Sequence, residues 1–315
     1  MSEKISLILS LMEDNLSINE IQSLLGVDYR EFNSLLKVIR NAGYNYSKAY
    51  SSDGEIILKM NHHLNLNDKK HVRIDVKDRI LKAIFISDLH IGGAFERPEL
   101  LRIVYDYART HNCNIIFNGG DLIDNIYPEA AYLPKNKTVL SQVQKVLRVY
   151  PFDPYITNFI LYGNHDYKSL AETGFDVGRY LEERRYDLVS LGYGMCVIHL
   201  QDDTIALTHD LGHSKKQEAP NYVTITYRGH SHKSKTRDHK LVYIPALSDS
   251  SHSAYEYRPL ASFLDVEFTF YDKKIARINT RQLAIVKDEI RLANEEVTVL
   301  NPDFREKSKT LEKKK

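Results

Sequence analysis

Five short polar clusters, each directly after an apolar run, contain the residue types in this sequence that are best suited to chemistry. They are Asp88-Leu89-His90, Gly119-Gly120-Asp121, Gly163-Asn164-His165-Asp166, Thr208-His209-Asp210 and Gly229-His230-Ser231-His232. Imidazole, carboxylate and amide groups are ligands that suit divalent ions such as manganese, iron, zinc and nickel. One such cluster alone is more often a surface turn than a metal site. Five in one chain favour a shared site.

The apolar runs before these clusters are predicted to be strands that position them. They cover residues 81–86, 114–117, 158–161, 204–207 and 224–227. Helical patterns separate them, so the sequence predicts an α/β fold. In such folds, sites form at the carboxyl ends of the strands, which is where all five clusters stand.

The order of the clusters resembles that of the calcineurin-like metallophosphoesterase superfamily. The family pattern is Asp-x-His, Gly-Asp, Gly-Asn-His-Asp/Glu, a lone His and Gly-His-x-His, and all five blocks are present between residues 80 and 270. The resemblance implies a four-layer α/β/β/α sandwich. It also implies two divalent metal ions, with manganese expected and iron, zinc or nickel as alternatives.

The resemblance also implies a role for each site residue. The first metal ion would be bound by Asp88, His90 and His232. The second would be bound by Asn164, His209 and His230. Asp121 would bridge the two ions. His165 would not be a ligand but would stabilise the phosphoryl charge or protonate the leaving oxygen, and Asp166 would orient His165 through a carboxylate–imidazole hydrogen bond.

Several assignments near the site rest on position alone. His209 is chosen as the lone histidine because it ends a predicted strand, whereas His199 lies inside an apolar run and His213 follows a turn. Arg228 and His252 are predicted as substrate contacts, with an ion pair as the alternative for Arg228. Asp124 follows Asp121 at helical spacing; support of the ligands is one interpretation, and an acid at the start of a helix is the preferred one.

The motifs also bear on the substrate. Protein serine/threonine phosphatases of the superfamily have an Arg after the Gly-Asp block and end the third block in Glu. This chain has Leu122 after Asp121 and ends the third block in Asp166, as nucleases and many phosphodiesterases do. We therefore predict hydrolysis of phosphodiester bonds in nucleic acid, as in DNA processing. The alternative is a phosphodiesterase or phosphatase acting on a small nucleotide-like substrate.

Residues 1–60 resemble a winged helix in the order of their elements. Three predicted helices precede a hairpin, Ser17 and Glu20 have the spacing of a capping box, and Ser52-Asp53-Gly54 gives the hairpin turn. A DNA-binding role would direct three cations of the third helix towards DNA: Arg30, Lys37 and Arg40. Charge does not favour this role, because residues 1–70 hold 8 Lys+Arg and 9 Asp+Glu. The alternative is a module for oligomerisation or partner binding.

Length and composition set the outer limits. The 315 residues are predicted to form a winged-helix-like domain at 1–60, a linker at 61–79, a metallophosphoesterase domain at 80–285 and a C-terminal extension with a basic tail at 286–315. The net charge of +1 argues against bulk electrostatic attachment to a membrane or a polyanion. No apolar run reaches the roughly 20 residues of a membrane span. Two cysteines exclude a disulfide scaffold and suit the cytoplasm. Association into homo-oligomers is left open.

Overall fold

The N-terminal part of the chain forms three helices and a hairpin. The structure is a computed structural model that describes residues 3–41, 46–60, 71–127, 134–212, 218–249 and 260–300. The first elements are α1 (Glu3–Glu13), α2 (Ile18–Leu25), α3 (Tyr29–Asn41), β1 (Tyr46–Ser51) and β2 (Ile56–Met60). The predicted capping box of Ser17 and Glu20 is present at the start of α2, and Gly26 ends this helix with φ at 61°. We call residues 3–41 and 46–60 the N-terminal unit.

Strands and helices alternate through the rest of the chain. The elements are β3 (His71–Asp75), β4 (Ile80–Ile86), α4 (Leu100–Thr110), β5 (Ile115–Asn118), α5 (Val139–Val149), β6 (Thr157–Tyr162), α6 (Asn164–Thr173), α7 (Val177–Glu182), β7 (Leu188–Tyr193), β8 (Met195–Leu200), β9 (Asp203–Thr208), β10 (Ile225–Arg228), β11 (Lys235–Arg237), β12 (Leu241–Tyr243), β13 (Ser262–Tyr271), β14 (Lys274–Val286) and β15 (Glu289–Val299). The five strands predicted before the clusters are β4, β5, β6, β9 and β10, with ends displaced by at most one residue. The predicted α/β class is thereby confirmed.

The strands form two sheets. One has seven strands in the order β15-β14-β13-β4-β5-β6-β7, and the other has eight in the order β11-β12-β10-β9-β8-β3-β1-β2. Strands β4 to β7 run parallel to one another, as do β9, β10 and β12. Each sheet therefore gathers several carboxyl strand ends at one edge, where loops can build a site.

Aromatic side chains fill the space between the sheets. Phe85 of β4 and Tyr227 of β10 stack with ring centroids 4.0 Å apart, and Phe117 and Phe159 continue the same buried cluster. A second buried cluster lies on the other face of the seven-stranded sheet, where α4, α5 and α7 pack. Burial of these rings removes a large apolar area from water and holds the two sheets against each other.

The N-terminal unit is joined to the rest of the molecule by hydrogen-bonded strands and by packing. Its hairpin belongs to the eight-stranded sheet, because β1 pairs with β3, which in turn pairs with β8. Tyr29 of α3 stacks on Phe152 at 4.1 Å, and Phe32 packs edge-on against Tyr186. Strand β3 lies in the range predicted as a linker, and β15 lies in the predicted C-terminal extension. The division into domains stays a prediction.

None of the helices in the described part of the chain has the length and apolar character needed to cross a membrane.

Candidate metal centre

Strand ends from both sheets bring the predicted site residues together. Asp88 follows β4, Asp121 follows β5, and Asn164 begins α6 directly after β6. From the eight-stranded sheet, His209 follows β9, and His230 stands two residues after β10. Because these strands are neighbours within their sheets, residues distant in sequence meet at one edge.

Hydrogen bonds between loops fix the backbone of these residues. The amide of Asp88 donates to the Gly120 carbonyl at 2.9 Å, and the amide of His90 donates to the Asp121 carbonyl at 3.1 Å. The amide of His209 donates to Gly194 at 2.7 Å. Each ligand-type side chain is thus held by a loop that is itself bonded to another loop, which limits its movement.

Five of the site residues adopt left-handed backbone conformations. The φ angles are 54° for Asp88, 46° for His90, 52° for Asp121, 71° for His230 and 57° for His232. Non-glycine residues rarely occupy this region, and each instance costs about 1–3 kcal/mol. Such strain persists where the surrounding structure over-determines it, and it clusters at functional sites. Here it points five side chains towards a common volume.

Three residues form a first group with the geometry of metal ligands. Asp88 Oδ1 lies 3.2 Å from His232 Nε2, and His232 Nε2 lies 3.3 Å from His90 Nε2. Ligand atoms placed ~2.1 Å from one ion would lie about 3.0–3.4 Å from each other in tetrahedral or octahedral arrangements. The three residues therefore fit one divalent ion.

A second group of ligand-type residues contains Asp121. Asp121 Oδ2 lies 3.1 Å from His209 Nε2, and His230 Nδ1 lies 3.0 Å from Asn164 Oδ1. Asp121, His209 and His230 form one cluster of metal-ligand type. Asp121 Oδ2 also lies 4.0 Å from His90 Nε2 of the first group. The Asp121 carboxylate thus stands between the two groups, where a bridging ligand would stand.

The protonation of His209 supports a cation at this position. Its Nδ1 lies 2.7 Å from the carbonyl of Gly119, which can only accept, so Nδ1 carries a proton. In neutral imidazole, Nε2 then presents a lone pair directly at the Asp121 carboxylate, and this buried Nε2 makes no hydrogen bond. Two acceptors 3.1 Å apart repel unless a positive charge lies between them. A proton on Nε2 or a metal ion supplies that charge.

Burial and neighbouring charges shift the pKa values within the cluster. Burial lowers the pKa of His90 to about 4. Burial disfavours the charge of Asp88, but the opposite charge of His232 outweighs it and lowers the pKa of Asp88 to about 2. Burial likewise opposes protonation of His209, but Asp121 outweighs it and raises the pKa of His209 to about 9. The carboxylates are therefore anionic at neutral pH and suited to cations.

Two glycines leave the space that the ligand side chains occupy. A Cβ at Gly163 would come within 2.3 Å of Asp121 Oδ1 and 2.5 Å of His209 Nε2. A Cβ at Gly229 would come within 2.3 Å of Ser87 Oγ and 2.7 Å of His209 Nδ1. The glycines in the Gly-Asn-His-Asp and Gly-His-Ser-His motifs are thus required for close approach rather than for turns alone.

Asp166 has a different role from the one predicted. The carboxylate does not orient the ring of His165; it accepts backbone amides from Gly163 at 2.9 Å, Leu122 at 3.1 Å and Ile123 at 3.0 Å. The physical reason is its place as the third residue of α6, from which a carboxylate turns back to the helix start. Asp166 therefore ties the loop after β5 to α6.

His165 is held at the rim of the cluster by other groups. Its ring Nδ1 lies 2.5 Å from the carbonyl oxygen of Asp124, and its amide donates to Asp121 Oδ1 at 3.0 Å. The ring also packs edge-on against His90, with centroids 4.5 Å apart. His165, His90 and Asp121 form a third cluster of metal-ligand type. The side chain therefore lies within reach of whatever the two groups bind.

Asp124 is a site residue for which the sequence interpretation preferred a different role, an acid at the start of a helix, over support of the ligands. It does not begin a helix; its side chain is buried, and Oδ1 lies 3.3 Å from His90 Nδ1, on the opposite side of the ring from Nε2. A carboxylate behind a ligand histidine fixes the orientation of the ring and raises its basicity. The available signal was spacing: Asp124 is three residues after Asp121 in a loop that must curve around the cluster.

The remaining predicted contacts lie around or outside this cluster. Arg228 donates from Nε to Thr208 Oγ1 at 3.2 Å, one residue before His209. His252 and His213 lie outside the described residues. The cations predicted to face DNA are all exposed on α3: Arg30, Lys37 and Arg40. Their roles, like the ligand roles above, stay predictions.

Comparisons with known proteins agree with the motif assignment. The family model of the calcineurin-like phosphoesterase matches residues 81–220. No curated protein matches the chain significantly. Among solved structures, the phosphoesterase Yfce from E. coli is 14% identical with a TM-score of 0.39, and covers 68% of this chain and 98% of its own.

Two further solved structures are similarly distant. Nuclease MPE from Pseudomonas putida is 14% identical with a TM-score of 0.35, covering 67% of this chain and 86% of its own. The calcineurin-like phosphoesterase YfkN from Bacillus subtilis is 9% identical with a TM-score of 0.32, covering 70% and 90%. Likenesses this distant leave the substrate open. Residues 81–220, which the family model matches, contain four of the five motif blocks and are similar to the calcineurin-like phosphoesterases.

Proposed function

We propose that the chain is a dinuclear-metal-dependent phosphoesterase that hydrolyses phosphodiester bonds in nucleic acid. The observation that carries the hydrolytic part is the pair of ligand groups that share Asp121 within a calcineurin-like phosphoesterase domain. The packing of helices on one face of the seven-stranded sheet and of the second sheet on its other face supports the four-layer α/β/β/α arrangement.

Each ligand residue has a proposed place. Asp88, His90 and His232 would hold one divalent ion, and the second would be held by a separate set: Asn164, His209 and His230. Asp121 would be shared by both sets. When bound, two divalent ions neutralise the charge of a phosphodiester and activate water at neutral pH. Manganese is the proposed metal, because mixed imidazole and oxygen ligands suit it.

His165 is proposed to act on the leaving group. Its contact with the Asp124 carbonyl at 2.5 Å places a proton on Nδ1, because a carbonyl only accepts. Nε2 is then the ring atom that exchanges a proton with the departing oxygen. Positioned acid–base groups of this kind contribute about 10²–10⁴-fold to rate.

The N-terminal unit supports nucleic acid as the substrate. Three helices followed by a two-stranded hairpin have the element order of a winged helix. Arg30 and Lys37 lie on the exposed face of α3, seven residues apart and therefore on one side of the helix. Packing of Tyr29 on Phe152 holds the helix against the phosphoesterase domain, so a strand bound to one would remain near the other.

A paired assay tests this proposal. The wild-type protein is incubated with manganese and either bis-p-nitrophenyl phosphate or end-labelled single- and double-stranded DNA. His165→Ala is the test variant. His239→Ala is the matched control, because His239 is exposed in the turn between β11 and β12. Metal content is measured for all three proteins.

We expect the wild type and His239→Ala to cleave DNA, and His165→Ala to retain metal but lose about 10²–10⁴-fold in rate. Hydrolysis of the small diester with all DNA intact would overturn nucleic acid as the substrate and direct the search to small phosphodiesters. Loss of metal in His165→Ala would contradict the role given to that residue.

A further inference from the structure

A cationic cleft lies between β1 and β3, away from the metal ligands. We infer that this cleft holds the phosphate backbone of a nucleic-acid strand while another part of the strand lies at the metal centre. The inference rests on the proposed function and adds to it a second binding region. Both flanking strands belong to parts of the chain that the motif analysis assigned to other units, the hairpin of the N-terminal unit and the predicted linker.

Divergence of the two strands opens the cleft. Within the described residues, β1 and β3 are paired only at Tyr50↔Ile74 and Ser51↔Asp75, whereas β3 pairs with β8 along four residues. Towards Tyr46 and His71 the two strands therefore separate. The space between them is a cavity of about 590 Å³, backed by Val189, Ser190 and Leu191 of β7. That volume lies within the roughly 300–1,000 Å³ of ligand sites.

Positive charge lines the cleft. Arg40, Lys59 and Arg73 line the cavity and are exposed, and in the part of the chain that the structure describes none of them forms an ion pair. The other lining cations are compensated: Lys48 lies 3.4 Å from Glu182, and Lys77 pairs with Asp53 and Glu55. The three cations therefore outnumber the one remaining lining carboxylate, Asp75 at the closed end.

The cations stand on separate elements of the chain. Lys59 is on β2 and Arg73 is on β3, with β1 between them, so their backbones are at least two strand spacings, about 10 Å, apart. Side chains of this length at that separation can share one phosphate or hold neighbouring phosphates of one strand. A polyanion with repeated phosphates uses each cation, and it gains by displacing counterions at each contact.

A stacked cation and ring at the open end favour a strand with unstacked bases. Tyr46 is the first residue of β1 and lines the cavity; its ring packs against the core, and the guanidinium of Arg40 lies 4.8 Å from the ring centroid. The guanidinium is therefore the group that meets a base, and bases stack on Arg guanidinium planes as they do on aromatic rings. The occupant we infer is therefore a single-stranded segment.

Strand register places the open end near the metal centre. His71, the first residue of β3, is opposite Val197, which is opposite Ala206, three residues before His209. Two strand spacings of ~4.8 Å and three residues of ~3.3 Å put the Cα atoms of His71 and His209 about 14 Å apart. A strand of a few nucleotides spans this distance, so one molecule can occupy both regions.

The test measures affinity for a fluorescent single-stranded oligonucleotide by anisotropy, in EDTA so that no cleavage occurs, over a series of salt concentrations. The test variant is Lys59→Gln/Arg73→Gln. The matched control is Lys273→Gln/Lys274→Gln, which removes the same charge from the exposed turn between β13 and β14, outside the lining of the cleft. Melting temperatures verify that both variants fold.

We expect the test variant to bind more weakly and its salt slope to fall by about 1.4, since each phosphate contact on a single strand contributes about 0.7. The control should match the wild type. Equal affinity of the test variant and wild type, or equal losses in both variants, overturns the cleft assignment.

The cleavage assay separates this failure from failure of the proposed function. If the wild type cleaves DNA but the test variant binds as the wild type does, only the cleft assignment is wrong. If the wild type neither binds nor cleaves nucleic acid, the proposed substrate is wrong and the cleft assignment is overturned with it. If the test variant binds the oligonucleotide tightly at low salt and its salt slope equals that of the wild type, phosphate contacts are not the basis of binding in the cleft.

Discussion

The metal cluster and the cationic cleft both include residues positioned by the eight-stranded sheet, but they are built in different ways. Side chains of the cluster come from the segments that follow strand ends and are mostly buried, and five of them stand on backbone with φ between 46° and 71°. Side chains of the cleft come mostly from regular strands and are exposed at its open end. The backbone of the cluster is strained, and the described backbone of the cleft is regular strand.

The difference follows from what each region has to bind. Metal ligands must converge within tenths of an ångström, so strained loops and close glycines are tolerated where neighbouring hydrogen bonds hold them. Phosphate contacts by long side chains need charge and reach but little convergence. Single substitutions in the cluster should therefore cause large losses of turnover. Substitutions in the cleft should lower the affinity for nucleic acid in proportion to the charge that they remove.

Removal of Asp121 should separate the two regions most sharply. In Asp121→Ala both ligand groups lose their shared carboxylate, so we expect metal content to fall and hydrolysis of bis-p-nitrophenyl phosphate to drop by about 10³-fold or more, since the ions supply several kcal/mol of stabilisation. Metal analysis and turnover measure this. Affinity for a single strand in EDTA should remain. Unchanged metal content would show that the ligand assignment is wrong, and lost strand affinity would show that the regions are not independent.

The two glycines that flank α6 provide a smaller and more specific test. In Gly163→Ala the new Cβ would press on Asp121 and His209, although φ of −93° suits any residue, so we expect a loss of about 10²-fold in turnover from displaced ligands. In Gly174→Ala the Cβ meets no atom within 4 Å, but φ of 71° costs about 1–2 kcal/mol of stability.

Thermal melts and turnover, measured together, distinguish a displaced ligand from a general loss of stability in the two glycine variants. Overpacking at Gly163 also costs about 1–3 kcal/mol, so both variants should lose similar stability while only Gly163→Ala loses activity. If Gly174→Ala were equally inactive, general destabilisation would explain both results, and the close packing of the cluster would have no special role.

The same contrast explains which features the sequence could predict. The seven ligand candidates and His165 were accessible because glycine-flanked motifs follow apolar strands in a fixed order. The role of Asp166 could not be predicted in this way. A carboxylate at the third position of a helix can accept from the amides of its own helix start or from the adjacent histidine ring, and the motif does not distinguish the two. In the structure, the amides of the helix start and of the loop after β5 are its partners.

The cleft was not accessible for a topological reason. Residues 71–75, His-Val-Arg-Ile-Asp, alternate polar and apolar side chains, a strand signal within the range interpreted as a linker. Even with β3 recognised, nothing local indicates that it pairs with β1 and with β8, a strand more than 100 residues away. Sites assembled from regular strands have no motif, because their function depends on which strands become neighbours.

The smallest effect we predict concerns Asp124, which contacts a ligand rather than an ion. Its carboxylate lies 3.3 Å from His90 Nδ1, while its backbone carbonyl holds His165, so side-chain substitutions leave that second contact in place. Asp124→Asn keeps an acceptor oxygen but loses the charge, and Asp124→Ala loses both. We expect manganese affinity to fall by about 10–100-fold in Asp124→Ala and by less in Asp124→Asn.

Manganese titration of the metal-free proteins measures the affinities of the wild type, Asp124→Asn and Asp124→Ala. Turnover of the small diester is the second readout. Since Asp124 acts by orienting His90, excess manganese should restore most of the turnover in both variants, a recovery that loss of a direct ligand such as Asp121 would not show. Wild-type affinity in Asp124→Ala would mean that the strained backbone of His90 alone orients its ring. Turnover that stays low at saturating manganese would instead assign Asp124 a part in the reaction itself, beside His165.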